Sequence, residues 1–193
     1  MKFQFLFYLF LFPIISYNLI AQESKRNFKI HTVAFYNLEN LFDTINDVNK
    51  NDEASPMMEI RFNRGEIYKK KISNMAEVIS QIGLEVTKRP PSIVGICEVE
   101  NKKVVEDLIA DERLKNYNYE IVHYESPDDR GIDVGMIYNK DVFKLKNSNS
   151  HEVYITDNNS NKRRNTRDQL VVSGHLQGEL MHFIVNHWPS RGA

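Results

Sequence analysis

The sequence predicts an α/β fold, a layered sandwich in which helices cover a mixed β-sheet. Three observations support this class. Strand-like and helix-like segments alternate through the first half of the chain. A continuous apolar run at residues 92–97 indicates a strand that is buried on both faces. The second half is rich in short β-forming segments separated by polar loops. With 193 residues, 41% hydrophobic and 26% charged, the composition suits about one globular domain.

The amino terminus has the order of a secretory signal peptide. Lys2 precedes an apolar run from Phe3 to Ile15, and a polar stretch then ends at Ala21. The run is short for a bilayer span, so we predict that residues 1–21 are a signal cleaved after Ala21. Export to the periplasm or the extracellular space follows, with no membrane span in the mature chain. A membrane anchor or a buried helix is the alternative interpretation.

The first elements are a strand, a loop and a helix. Residues 29–36 mix β-forming side chains and predict a strand. The polar stretch after it contains Pro56 and predicts a long loop. Residues 66–83 then place apolar side chains at helical spacing, with Gly83 at the end of the helix. The side chains expected to face inward are Ile67, Ile72, Met75, Val78, Ile79 and Ile82.

The later elements are mostly strands. Residues 92–97 form the buried strand, and residues 101–114 predict a short helix with Val104, Val105, Leu108 and Ile109 inward. Four further strands are expected in "YEIVHYE", "IDVGMIYN", "QLVVSGHL" and "MHFIVNHW". The loops "SPDDRG" and "TDNNSNKRRNTRD" lie between them.

Charge and cysteine content exclude some classes of mechanism. The formal net charge is −1, so no overall basic field attracts nucleic acid, although a local basic groove remains compatible with it. Cys97 is the only cysteine, so no intrachain disulfide forms, and no cysteine stands at the cleavage site of the signal. Because Cys97 lies in an apolar strand, we expect it to pack in the core rather than act as a nucleophile.

Polar residues collect at the strand ends, where a rigid backbone presents them. They are Asn37, Glu39, Glu98, Arg130, Asp133, Arg167, Asp168, Asn186 and His187. Carboxylate and amide oxygens suit Mg²⁺, Mn²⁺ or Ca²⁺ better than zinc, and Glu98 is the best single candidate for a metal ligand. Arg130, Arg167 and His187 are candidate donors to phosphate oxygens. Each residue alone also fits an ordinary strand-end cap or a surface charge.

Five blocks of sequence resemble a known family. They are "VAFYNLENLFDT", "PSIVGICEVEN", "DRGIDVGMIYN", "NTRDQLVV" and "VNHWPSRGA". Together, in this order, they resemble the endonuclease/exonuclease/phosphatase superfamily, and within it an exported bacterial subgroup. The resemblance implies a four-layer α/β sandwich of the deoxyribonuclease I-like type. It also implies hydrolysis of phosphoesters by an activated water, with Mg²⁺ as cofactor and Mn²⁺ or Ca²⁺ as alternatives.

The resemblance also assigns roles to individual residues. Asn37 matches an asparagine at the metal and phosphate centre, and Glu39 matches the polar residue two positions later. Glu98 matches the glutamate that binds the metal, although Cys97 stands where glutamine is usual. Arg167 resembles the arginine that approaches the substrate phosphate, and His187 the histidine that donates to it. Asn37, Glu98, Arg167 and His187 are therefore expected to be catalytic, and Glu98, Asn37 and Glu39 to bind metal.

Three more residues carry weaker expectations. Arg130, Asp133 and Asn186 are assigned to the substrate phosphate, because they lie in or beside blocks typical of the subgroup. The run of Lys162, Arg163, Arg164 and Arg167 fits either a nucleic acid backbone or a solvated loop. DNA, RNA, inositol phosphates and phospholipid headgroups all remain open as substrates.

Two motifs of the family have no match in this sequence. They are a Gly-Asp-x-Asn block and a Ser-Asp-His block, which follow the histidine motif. We therefore expect residues 22–193 to be an endonuclease/exonuclease/phosphatase domain that is incomplete at its carboxyl terminus. Two functions stay open: a metal-dependent, endonuclease-like phosphodiester hydrolase, and a truncated, non-catalytic remnant or phosphate-binding module. The expected partner is nucleic acid or another phosphodiester, and the chain is expected to be a monomer.

Overall fold

A computed structural model describes residues 28–48, 50, 52–157 and 160–189. The signal predicted at residues 1–21 lies outside this part of the chain. The helices are α1 (Pro56–Glu59), α2 (Arg64–Gln81), α3 (Leu84–Thr87) and α4 (Lys102–Ile109). The strands are β1 (Val33–Leu41), β2 (Ile93–Val99), β3 (Tyr119–His123), β4 (Asp133–Asn139), β5 (Phe143–His151), β6 (Ile155–Thr156), β7 (Arg163–Arg164), β8 (Gln169–Leu176) and β9 (Glu179–Val185).

The first sheet has four strands in the order β1-β2-β4-β3 and is mixed, as predicted. β1 runs parallel to β2, whereas β4 is antiparallel to both β2 and β3. The parallel pair is connected through α2, the crossover helix that such a pair needs. Consequently the carboxyl ends of β1 and β2 meet at one edge of the sheet.

Helices α2 and α4 cover one face of this sheet. Their buried apolar side chains pack against the side chains that β1 and β2 direct to the same side. In β2 these are Val94, Ile96 and Val99, all fully buried. At most positions the amphipathic pattern of the helices is confirmed, but Ile67 and Val78 of α2 are about two-fifths exposed. The prediction that these two side chains face the core is wrong, because they line an open groove beside the end of β1.

A second sheet, in the order β5-β8-β9, packs on the opposite face of the first. Ile93 and Cys97 of β2 contribute to this core, so β2 is buried on both sides, as its continuous apolar run predicted. Phe143 of β5 lies edge-to-face with Tyr138 and Phe183, at ring-centroid distances of 5.3 and 5.8 Å. Gly174 lets Phe143 approach this closely, since a Cβ there would lie 2.3 Å from the Phe143 ring.

The described residues thus form three layers, a helical layer and two sheets. This is the α/β class that the sequence predicts, with three of the four expected layers among the described residues. A helical layer over the outer face of the second sheet is not formed by residues 28–189 as far as the structure describes them. No described helix is both long and apolar enough to cross a membrane.

Local irregularities shape the carboxyl ends of β1 and β2. The register between β1 and β2 shifts after the Asn37–Cys97 pair and resumes at Leu41–Val99. Glu98 lies within this bulge with a φ of 59°, and Glu39 and Asn40 have φ values of 50° and 56°. Residues other than glycine rarely adopt this left-handed conformation. Such strain concentrates at functional sites, which indicates a functional site at this corner, formed by residues 37–40 and Glu98.

Candidate active site

Glu98 projects from the bulge at the end of β2 and accepts two hydrogen bonds. Its Oε2 accepts from the backbone N–H of Asn40, at 3.0 Å. Its Oε1 lies 3.0 Å from Nε2 of His187, which follows the end of β9. An ionised carboxylate only accepts, so in this arrangement the Nε2 of His187 carries the proton. The pair joins the two sheets across 89 positions of the sequence.

A cavity of about 340 Å³ opens at this pair. We call it the Glu98 cavity, and it is lined by Glu98, Arg130, Arg164, Arg167, His187, Trp188 and Pro189. Three guanidinium groups therefore face a volume that also holds a carboxylate and an imidazole. Guanidinium groups bind phosphate oxygens through paired, charge-assisted hydrogen bonds. The chemistry of the lining suits an oxyanion such as a phosphate.

Arg167 is held beside the cavity by two hydrogen bonds. Its Nε donates to the backbone carbonyl of His187, at 3.1 Å. Its Nη1 donates to Oδ2 of Asp128, at 2.9 Å, and both of these side chains are buried. Arg130 is more exposed, with its Nη2 4.0 Å from Oε1 of Glu98.

Burial and nearby charges set the protonation of His187. Burial lowers the pKa of its imidazole most strongly, and the positive charge of Arg167 lowers it further. Glu98 opposes this shift, both by its charge and by its hydrogen bond. The net direction is downward, so the imidazole is neutral at neutral pH. A neutral His187 is a hydrogen-bond donor through one nitrogen and an acceptor through the other.

The corner before the cavity is held by local hydrogen bonds. Oδ1 of Asn37 accepts from the backbone N–H of Glu39, at 2.7 Å, which closes a tight turn. Lys71 of α2 donates to the backbone carbonyls of Glu39 and Asn40, at 2.5 and 2.9 Å. These contacts hold the backbone of Glu39 and Asn40, the two left-handed residues. The sequence "NLEN" folds into this corner because asparagine tolerates such φ values and supplies the turn acceptor.

The predicted site residues do not all line the Glu98 cavity. Glu98, Arg130, Arg167 and His187 do. Asn37 is adjacent to the bulge, paired with Cys97 across the two strands. Glu39 instead lines a groove of about 370 Å³ beside α2, together with Lys70 and Lys71.

Asp133 and Asn186 have other surroundings. Asp133 is buried at the start of β4, where its Oδ1 accepts from the N–H and Oγ of Ser126, at 2.8 and 2.6 Å. Its Oδ2 lies 3.1 Å from Nε2 of His123. Asn186 directly precedes His187, and its Oδ1 is buried with no hydrogen-bond partner in the structure.

A second group of possible metal ligands includes Asp133 and two residues near it. Ligand atoms of His123, Glu125 and Asp133 all lie within 4.8 Å of one another. Lys50 makes an ion pair with Glu125 and donates to the backbone carbonyl of Glu100, at 2.8 Å. Its ammonium group already supplies a positive charge to these acids. The negative charge of this group is therefore partly compensated by Lys50.

Two residues at the cavity were not singled out from the sequence. Trp188 is 62% exposed on the rim and directly follows His187. Asp128 is buried beneath Arg167, in the loop between β3 and β4. The signal for Asp128 was present in "SPDDRG", because an aspartate two positions before an arginine and three before a glycine suits a turn.

Solved structures with similar folds come from several phosphatases and related proteins. An endonuclease/exonuclease/phosphatase from Bacteroides vulgatus matches with 16% identity and a TM-score of 0.46, over 78% of this chain and 49% of that one. A mannosyl-6-phosphatase from Bacteroides thetaiotaomicron matches with 17% identity and a TM-score of 0.43, over 79% and 49%. ANGEL2, a 2',3'-cyclic phosphatase, matches with 14% identity and a TM-score of 0.44, over 76% and 37%.

This chain spans about half the length, or less, of those structures. No curated protein matches it significantly. The profile of the endonuclease/exonuclease/phosphatase family matches residues 32–193, which include all five sequence blocks and the whole lining of the Glu98 cavity. The chain therefore belongs to the endonuclease/exonuclease/phosphatase family.

Proposed function

We propose that the chain carries the phosphate-binding and cleaving site of a metal-dependent phosphoester hydrolase that acts on phosphodiesters in the manner of an endonuclease. One observation carries the proposal. Glu98 and His187 meet within 3.0 Å at the floor of a cavity that three arginines line. Membership of the family supports the same class of reaction.

The roles of the side chains follow from their positions. Arg130 and Arg167 would bind the non-bridging oxygens of the phosphate through charge-assisted hydrogen bonds. His187 would turn its Nε2 proton from Glu98 to a phosphate oxygen, where negative charge builds as the ester bond breaks. Donors held in place before the reaction stabilise this charge without reorganising, and in many enzymes this effect supplies most of the rate enhancement.

A divalent cation would bind to oxygen donors at the ends of β1 and β2. Glu98 would hold it, with the amide oxygen of Asn37 and, after a rotation out of the α2 groove, the carboxylate of Glu39 as further ligands. These are hard oxygen donors, which suit Mg²⁺ first and Mn²⁺ or Ca²⁺ as alternatives. The cation would polarise a phosphoryl oxygen and offset charge on the leaving oxygen.

A phosphate-binding module without catalysis is the second candidate function. The observation that favours it is that both oxygens of Glu98 are already hydrogen-bonded within the protein, to Asn40 and His187. The carboxylate is thus satisfied without a cation, while three arginines line the cavity where an anion would bind. The two functions differ in a single measurement, because only the hydrolase releases product.

A Glu98→Ala variant tests the hydrolase. We expect Mg²⁺-dependent cleavage of bis(p-nitrophenyl) phosphate to fall by at least about 100-fold, because charge stabilisation at the reacting phosphate is lost. Glu106→Ala is the matched control, since Glu106 is an exposed glutamate on α4. Addition of EDTA should abolish cleavage by the unsubstituted chain. Near-normal turnover in the Glu98 variant would refute the assignment.

A parallel assay compares the candidate substrates. Plasmid DNA, RNA and a phospholipid headgroup ester are incubated with the chain under the same Mg²⁺ concentration. We expect the nucleic acids to be cleaved faster, since guanidinium groups along the cavity suit a polyanionic backbone. The signal peptide proposed at residues 1–21 would place this activity outside the cytoplasm.

A further inference from the structure

Asp128 is the buried acid that contacts the phosphate-binding arginines. It is 9% exposed and lies in the loop between β3 and β4. Its Oδ2 accepts from Nη1 of Arg167, and its Oδ1 accepts from the backbone N–H of Arg130, at 3.0 Å. The same Oδ1 lies 3.9 Å from Nε of Arg130. A single carboxylate thus touches both arginines that flank Glu98.

We infer that Asp128 is a positioning residue that fixes the guanidinium group of Arg167, and the turn that carries Arg130, in the geometry that binds the substrate phosphate. This inference rests on the proposed function, because it concerns the same phosphate site. Asp128 does not line the cavity and acts only through the two arginines.

Two of the N–H donors of Arg167 are used within the protein, and the others are not used by these contacts. Its Nε and one hydrogen of Nη1 are used by the His187 carbonyl and by Asp128. Arginine has five N–H donors in a rigid fork, so these two contacts leave three donors unused in a side chain that lines the cavity. Two fixed contacts at different nitrogens prevent rotation of the planar group. The free donors are therefore aimed before a ligand arrives.

The turn at Asp128 positions Arg130 in the same way. The backbone N–H of Gly131 donates to the carbonyl of Asp128, at 2.9 Å, and Gly131 has a φ of 67°. The Asp128 side chain closes the inner half of this turn through the N–H of Arg130. Arg130 therefore leaves the loop at a fixed place above Glu98.

Charge and position predict opposite effects for the loss of Asp128. If Asp128 acted only as a negative charge near the cavity, its neutralisation would strengthen the binding of an anion. If it positions Arg167, neutralisation weakens that binding, because an asparagine amide is a poorer partner for a guanidinium than a carboxylate is. The sign of the change separates the two roles.

The test uses an Asp128→Asn variant of the full chain with inorganic phosphate as the probe. Trp188 is the only tryptophan and lies on the rim of the cavity, so its fluorescence reports occupancy. We expect the dissociation constant for phosphate to rise about tenfold, as expected for a disturbed charge-assisted hydrogen bond. In the hydrolysis assay kcat should fall as well as KM rise, because the donors serve the reacting phosphate.

Three further variants serve as controls. Asp129→Asn removes the same charge from the neighbouring exposed residue, whose Oδ1 accepts from Asn165, and should leave phosphate binding unchanged. Asp128→Glu keeps the charge and should restore part of the affinity. Combining Asp128→Asn with Arg167→Ala should add little to the effect of Arg167→Ala alone, because the two residues act as one unit.

The outcomes separate this inference from the proposed function. Unchanged or tighter phosphate binding in Asp128→Asn, or an additive double variant, overturns the inference even if hydrolysis is observed. A chain that binds phosphate with the expected dependence on Asp128, but cleaves no phosphoester, supports the inference and overturns the hydrolase. Absence of any phosphate-dependent signal in the unsubstituted chain overturns both.

Discussion

His31 is a titratable residue away from the Glu98 cavity. Its Nδ1 lies 2.8 Å from Oγ of Ser92, and its Nε2 is buried without a hydrogen-bond partner in the structure. Burial lowers the pKa of this imidazole first, and the positive charges of Arg89 and Lys29 lower it further. All three causes disfavour the charged form of the folded chain.

The pH dependence of stability follows from this shift. Because the folded pKa lies below the unfolded value of 6.5, the unfolded chain binds more protons as the pH falls. The contribution of His31 to stability is present above pH 6.5 and is lost below it. A His31→Gln variant should therefore lose less Tm between pH 7.5 and pH 5.5 than the unsubstituted chain. His151→Gln, at an exposed position, is the control, and equal losses in both variants would contradict the prediction.

The environment of Cys97 was predictable from its neighbours in the sequence. An apolar neighbourhood in the sequence indicated a buried, unreactive thiol, and the side chain is fully buried. Burial also raises the pKa of the thiol to about 12.

The environment of Glu100 was predictable only in part. Its place before a helix was expected, but its burial, which raises its pKa to about 7, depends on the loop around Asp43 and Asp52.

At the scale of elements, α4 begins at a side-chain cap from Asn101. Oδ1 of Asn101 accepts from the backbone N–H of Val104, at 3.1 Å. An Asn101→Ala variant should lose about 1 kcal/mol in the free energy of unfolding, the usual cost of an absent amino-terminal cap. Urea denaturation measures this difference. Asn101→Ser keeps an acceptor and should stay close to the unsubstituted chain, so an equal loss there would contradict the capping role.

Apolar periodicity predicted the strands whose side chains are buried in the core. It did not predict strands whose side chains are mostly exposed. β2, β3, β4, β8 and β9 lie where alternating or continuous apolar residues indicated them. β1 extends to Leu41, past the predicted end at residue 36, because its pairing with β2 tolerates a polar bulge. β5 was not predicted, since only Phe143 at its start is buried and the rest carries lysine, asparagine and serine. An exposed strand is held by backbone pairing, which leaves no apolar pattern in the sequence.

At the scale of the whole molecule, the two sheets leave apolar edges on the same side. Among the described strands, β1 is an edge strand of the first sheet and β9 is an edge strand of the second, with β3 and β5 at the opposite edges. Between them lies a cavity of about 290 Å³. Phe35 and Ile184 on its rim are 54% and 61% exposed. Unpaired apolar edges promote association between chains.

A charge at one of these edges should reduce that association. We expect an Ile184→Lys variant to show a smaller mass-average molecular weight at high protein concentration, measured by light scattering after size-exclusion chromatography. Val86→Lys adds the same charge at an exposed position of α3, away from both edges, and should change little. Equal behaviour of the two variants would show that the edges do not drive association.

The assembly of the cavity was partly predictable at this scale. Glu98 and His187 were both singled out as polar residues at strand ends, and they meet from different sheets. The direction of Glu39 was not predictable, because left-handed residues at 39 and 40 turn its side chain toward α2. The contact of Asp128 with Arg167 joins two loops 39 positions apart. Only the packing of the second sheet on the first brings them together.

The left-handed backbone at Glu98 has a consequence for how this position can change. Glycine would relax the conformation at no steric cost, yet glycine has no carboxylate to present to the cavity. At position 98 the backbone conformation therefore favours glycine, whereas the proposed chemistry requires glutamate. The protein keeps a locally unfavourable backbone together with the side chain that the site uses. Any screen that selects variants for thermal resistance alone should therefore drift toward glycine here and discard the activity unnoticed.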